Sequence, residues 1–139
     1  MMDENPKDSG NDGSVRKRVG PKVNSSQEKR VMKWIGRCIR ESIGEDAYGA
    51  LRDGVALIKL YNALCPDMHL EYVKPTTLED QKQNIELFLD YAQDFEVSAE
   101  DLFEVEHLLE GTNIPQVLYG IEAFARHIEI CGFVVPPFQ

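Results

Sequence analysis

Nine cations stand within residues 15–40 of this 139-residue chain: Arg16, Lys17, Arg18, Lys22, Lys29, Arg30, Lys33, Arg37 and Arg40, against the single acid Glu28. The chemistry open to such a set is electrostatic capture of an anionic surface. The other reactive side chains do not combine. His69, His107 and His127 are scattered without metal-ligand spacing. Cys38, Cys65 and Cys131 form an odd set with no Cys-x-x-Cys pair, and each falls in an apolar helical pattern. They read as reduced, buried thiols rather than a disulfide frame or a zinc site. The stretch Asp94–Glu100 has the acids of a calcium loop, but Ala99 stands at the sixth position, where the turn needs Gly. Val105 stands at the twelfth, where a bidentate Glu belongs. There is no Gly-rich phosphate loop and no Gly-x-Ser-x-Gly elbow. The expectation is a binding module rather than an enzyme, with no cofactor and no metal.

The formal net charge of −9 conceals an asymmetry. From Glu41 onward acids outnumber bases, and between Asp94 and Glu110 there are seven acids and no Lys or Arg. A basic N-terminal arm and first helix therefore sit on an acidic body, and a bipolar surface of that kind orients partners. The length suits one domain with a real core. No run of about 18 apolar residues occurs, so no transmembrane segment is expected. The start Met1-Met2-Asp3-Glu4-Asn5 lacks the pattern of a secretory signal, and a cytoplasmic location follows as an expectation.

The elements that must position the cations can be read from caps and periodicity. Residues 1–23, rich in Asp, Asn, Gly, Ser, Lys and Pro, are expected to be a disordered basic arm. A first helix is expected from about Ser26 to Ser42, with Ser25 and Glu28 as a capping box and Gly44 as its stop. Val31, Trp34, Ile35, Cys38 and Ile39 share one face, and Arg30, Lys33, Arg37 and Arg40 the opposite one. A turn or partial helix at Glu45–Gly49 leads to a central helix, about Asp53–Cys65, that is apolar on nearly every side. Asp53 suits the first turn of that helix, at the positive end of its dipole. A loop over residues 66–75 precedes a helix opened by Thr76 and Glu79, with Ile85, Phe88, Leu89 and Ala92 inward. Ser98 and Asp101 open a short helix containing Leu102 and Phe103. The last helix starts at Asn113, with Pro115 in its first turn and Gln116 completing a capping box. It buries Val117, Leu118, Ile121, Phe124, Ala125 and Ile128 and ends at Gly132. The folded domain spans residues 24–132, and residues 133–139 form an extended C-terminal tail.

Several of these segments resemble a known family when taken in order. They are Trp34 on the first helix, Leu-x-Asp-Gly-Val-x-Leu-x-x-Leu-x-Asn at Leu51–Asn62, Asn84-Ile85-x-x-Phe88-Leu89, Asp101-Leu102-Phe103, and Leu-x-Glu-Gly-x-Asn at Leu109–Asn113. The pattern is similar to the calponin homology domain of the single-copy type found in calponin, transgelin, Vav-like exchange factors and IQ-motif scaffolds. The resemblance implies an all-α, compact bundle of four main helices with short connecting helices. It also implies an actin-cytoskeleton-associated module for protein–protein interaction. In that reading F-actin meets the arm (Arg16, Lys17, Arg18, Lys22) and the first helix (Lys29, Arg30, Lys33, Arg37, Arg40), with the affinity of a single copy. The alternative is a regulatory, autoinhibitory domain of a larger signalling protein such as a Rho-family guanine nucleotide exchange factor, docked on a neighbouring domain. Anionic lipid is a third partner, weak because no apolar anchor accompanies the charge. Nucleic acid is not expected.

Overall fold

The computed structural model describes residues 23–138. Six helices follow in order: α1 (Ser25–Ile39), α2 (Ala47–Leu51), α3 (Val55–Leu64), α4 (Leu78–Gln93), α5 (Val105–Leu109) and α6 (Ile114–Ile130). There is no strand among the described residues. The central helix α3 packs between α1 and α4, while α6 packs on α1, α2 and α5. Leu57, Ile58, Leu60 and Tyr61 of α3 are fully buried, as expected for a helix apolar on nearly every side. Tyr61, Phe88 and Phe124 join three helices in one aromatic cluster. The Phe88 and Phe124 rings meet edge-to-face at 5.2 Å, and Tyr61 and Phe124 lie 5.9 Å apart, separations typical of favourable aromatic pairs.

Gly54 explains how closely α3 approaches α4. Its φ is +78°, and a Cβ there would lie 2.5 Å from the Asn84 Cβ and 2.8 Å from the Ile85 nitrogen. Only glycine meets both demands. Asp53 Oδ1 accepts from the Val55 N–H at 3.0 Å at the start of α3. The loop before α4 has no ladder partner and is held by two asparagine side chains instead. Asn62 exchanges two hydrogen bonds with the Leu70 backbone, at 2.8 and 2.9 Å. Asn84 accepts from the Val73 N–H at 2.7 Å and donates to the carbonyls of Val73 and Asp53 at 2.8 and 3.1 Å.

Several helix ends differ from the sequence expectation. Asn24, not Ser25, caps α1, its Oδ1 accepting from the Ser26 and Gln27 N–H groups. Glu28 instead reaches across to accept from the Ala47 N–H at the start of α2. Helix α1 ends at Ile39, well before Gly44. Arg40 takes a left-handed φ of 61°, and the Arg40 and Glu41 N–H groups both return to the Gly36 carbonyl. Gly36 permits this closure, because a Cβ there would lie 2.8 Å from the Glu41 oxygen. Thr77 with Asp80, rather than Thr76 with Glu79, forms the capping box of α4. Residues 98–102 make only a turn, closed by hydrogen bonds to the Ser98 carbonyl, and α5 starts after it. Asn113 does cap α6, but the Gln116 side chain donates to the Leu102 carbonyl at 2.6 Å rather than closing a capping box.

Candidate partner interface

Helix α1 carries Lys29, Arg30, Lys33 and Arg37 as exposed side chains, and Arg40 follows at its C-cap, also exposed. The opposite face is driven inward by Val31, Met32, Trp34 and Ile35, all buried. Met32 lies outside the apolar stripe expected from the sequence. It is buried at the flank of that stripe, beside the groove that residues 41–45 also line. Cys38 and Ile39 are half-buried. Arg16, Lys17, Arg18 and Lys22 lie outside the described residues.

The five cations on α1 divide into two groups. Arg30 pairs with Glu122 of α6 at 2.6 Å, and its guanidinium lies 5.9 Å from the centre of the Phe138 ring. Arg37 donates to the Pro137 carbonyl at 3.0 Å. Lys29, Lys33 and Arg40 make no ion pair with any described residue. Lys33, Arg37 and Arg40 come together around an open groove of about 590 Å³ floored by Met32, Gly36 and Ile43. Glu41 and Glu45 also border it, but Glu41 is turned to Lys59 at 2.7 Å. That hydrogen bond pushes the Lys59 pKa up. Arg37 in the last turn and Arg40 at the cap both suit the negative end of the α1 dipole.

Residues 133–138 do not leave the body. The Trp34 Nε1–H donates to the Pro136 carbonyl at 2.7 Å, and the Phe138 ring stacks on the indole at 4.2 Å between centroids. Sequence reasoning places Trp34 in the core but misses what covers it. The available signal is the apolar content of Phe133, Val135 and Phe138 after the Gly132 stop.

Burial pushes the Cys38 thiol up to about 11, a rise that neighbouring Arg37 only partly opposes. Burial, with a contribution from Cys131, takes Cys65 to about 11 as well. Thiols held so high carry little thiolate near neutrality. His107 Nδ1 accepts from the Glu104 N–H at the start of α5, a structural task. Among the described residues no three His, Cys, Asp or Glu side chains converge as a metal would require, and no helix is long and apolar enough to cross a membrane.

The described residues fold into six helices with α3 buried among them and a cationic face on α1. Residues 25–130 match the calponin homology (CH) domain, and the chain belongs to that family. Among proteins of known identity it is 30% identical to myophilin of Echinococcus granulosus, over 98% of this chain and 75% of that protein. It is 29% identical to calponin-1 of Meleagris gallopavo, over 85% of this chain and 67% of that protein. Among solved structures it is similar to the calponin-homology domain of RNG2 from Schizosaccharomyces pombe, with a TM-score of 0.70 and 27% identity over 81% of this chain and 72% of that one. It is also similar to the calponin-homology domain of an IQGAP protein from the same organism, with a TM-score of 0.67 and 27% identity over 83% and 76% of the two chains.

Proposed function

We propose that this chain is a cytoplasmic, actin-cytoskeleton-associated binding module that meets F-actin through its basic N-terminal arm and first helix. The observation that carries the reading is the convergence of Lys33, Arg37 and Arg40 on one groove, with Lys29 beside them on the same helix. Like charges gathered on one face cost free energy in the isolated protein, and an anionic surface offsets that cost when it arrives. Arg16, Lys17, Arg18 and Lys22 extend the same charge along the chain. The acidic stretch from Asp94 to Glu110 faces away from such a surface in this reading. Binding is weak and salt-sensitive, because exposed charges are screened beyond a Debye length of about 8 Å at physiological ionic strength.

Cosedimentation with F-actin at about 50 and about 150 mM salt, where the Debye length falls from about 14 to about 8 Å, tests the reading. The expected outcome is binding that weakens with salt and is abolished by Lys29→Glu, Lys33→Glu and Arg40→Glu together. Binding indifferent to that triple reversal, in protein whose melting is unchanged, would place the contact elsewhere. Absence of binding at either salt would move the assignment to the regulatory reading, in which the same face docks on a neighbouring domain of a signalling protein. Retention on anionic vesicles without actin binding would move it to a lipid surface.

A further inference from the structure

The segment 134–138 has no regular secondary structure, and Pro136 and Pro137 have no N–H to donate. What it presents is a row of carbonyl acceptors and one aromatic ring. The α1 face opposite supplies the complement. The Trp34 indole donates to the Pro136 carbonyl at 2.7 Å, and Arg37 donates to the Pro137 carbonyl at 3.0 Å. Phe138 stacks on the indole with ring planes 20° apart, and the Arg30 guanidinium closes over that ring. Ala125, Arg126 and Glu129 of α6, with the tail itself, line a cleft of about 390 Å³ alongside. Aromatic-lined grooves whose indole N–H reads a prolyl carbonyl are a recurring way to recognise extended proline-rich peptides, because such segments lose little entropy on binding.

We propose that the Trp34 face of α1 is a recognition site for an extended Pro-Pro-aromatic segment, with residues 135–138 as its resident ligand. A polypeptide of the same chemistry in trans then competes with the tail for one seat. The specificity is legible in the contacts. A prolyl carbonyl must meet the indole N–H, the next carbonyl must meet Arg37, and the following ring must meet Trp34. A tail tethered by a few residues has an effective concentration on the order of millimolar, so a trans ligand gains the seat readily only when the resident contact is weakened.

Trp34 is the sole tryptophan, so its emission reports the seat. The experiment compares the full chain with its Phe138→Ala variant and titrates both with a peptide of sequence Gly132–Gln139. A control peptide has Ala in place of the Phe that corresponds to Phe138, with the Phe that corresponds to Phe133 retained. The expected result is a red-shifted emission in Phe138→Ala that the peptide reverses saturably, with the control binding at least about tenfold more weakly and the unmodified chain requiring more peptide. Unshifted emission in Phe138→Ala, or no saturable response at peptide concentrations on the order of millimolar, overturns the proposal. Should Phe138→Ala lose its cooperative melting transition, the Trp34 indole N–H resonance of the unmodified chain tests the same contact. Slow solvent exchange supports the site, and fast exchange overturns it.

Discussion

Asn84 is the one fully buried polar side chain among the described residues, and its amide is matched on both sides. Its oxygen accepts from Val73 and its nitrogen donates to Val73 and Asp53. A buried amide left without these partners would be costly, and so would the backbone groups it serves. Asn84→Ala is expected to lose roughly 2–4 kcal/mol of stability, read as a lower urea midpoint at unchanged slope. Asn62→Ala, at a half-buried position with two such bonds, loses about 1–2 kcal/mol in the same assay. Both asparagines stand inside the family pattern in the sequence. Their work as braces for the loop is not legible there, because Leu70 and Val73 carry no signal that their backbone groups lack other partners. A second prediction concerns alkaline pH. Cys38 and Cys65 rise from 9.0 to about 11 on folding, and Tyr61 rises from 10.0 to about 12, all chiefly through burial. Above pH 9 the unfolded chain releases protons that the folded chain retains, so ionisation favours unfolding. Stability at pH 8 is therefore expected to exceed that at pH 10.5, with the loss beginning near pH 9. Denaturant melts across that range check it, and a flat profile would contradict the burial of these groups.

At the scale of elements, what could be read and what could not divide along one line. For the long helices, existence and inward faces follow from periodicity, as α3 and α6 show, because burial demands a repeating apolar stripe, whereas the short helix expected to open at Ser98 is a turn. Helix ends slip by one to a few residues. Asn24, Ser25 and Ser26 can all cap, as can Thr76 and Thr77, and local chemistry does not choose among them. The choice at α1 is tertiary: Glu28 is drawn off to the Ala47 N–H and is not free to complete a box with Ser25. Glu28→Ala is accordingly expected to cost about 1 kcal/mol, and hydrogen exchange should locate the loss at Ala47 in α2 rather than at the start of α1. Glu28→Gln, which retains an acceptor oxygen, should recover most of the protection. The early stop of α1 has the same origin. Gly36 sits inside the helix, and its value lies in letting the chain fold back onto its carbonyl.

For the molecule as a whole, the charge asymmetry is visible in the sequence, but the division of the cations is not. Arg30 finds Glu122 across 92 residues of chain, and Arg37 finds Pro137 across 100. No local rule predicts such pairs. The division makes a stability prediction that is independent of any partner. The Arg30 side chain is 42% exposed and that of Glu122 only 14%, so this ion pair is partly screened. Arg30→Ala is expected to cost roughly 0.5–1 kcal/mol. Lys33→Ala and Lys29→Ala are expected to change stability by less than about 0.5 kcal/mol in the same melts. Equal effects at all three positions would mean that the face is uniform and that the α6 contact contributes nothing.

The return of the tail to α1 also decides how this molecule carries load. Its contacts with Trp34 and Arg37 follow one another along the returning segment 136–138, so tension on that segment meets them in sequence. Phe138 bears first, then Pro137 and then Pro136, and each yields before the next is strained. Contacts arranged in this way are loaded one at a time, whereas those of α3, packed between α1 and α4, are loaded together. A pull on this segment therefore reaches the tail contacts on α1 before it reaches the bundle.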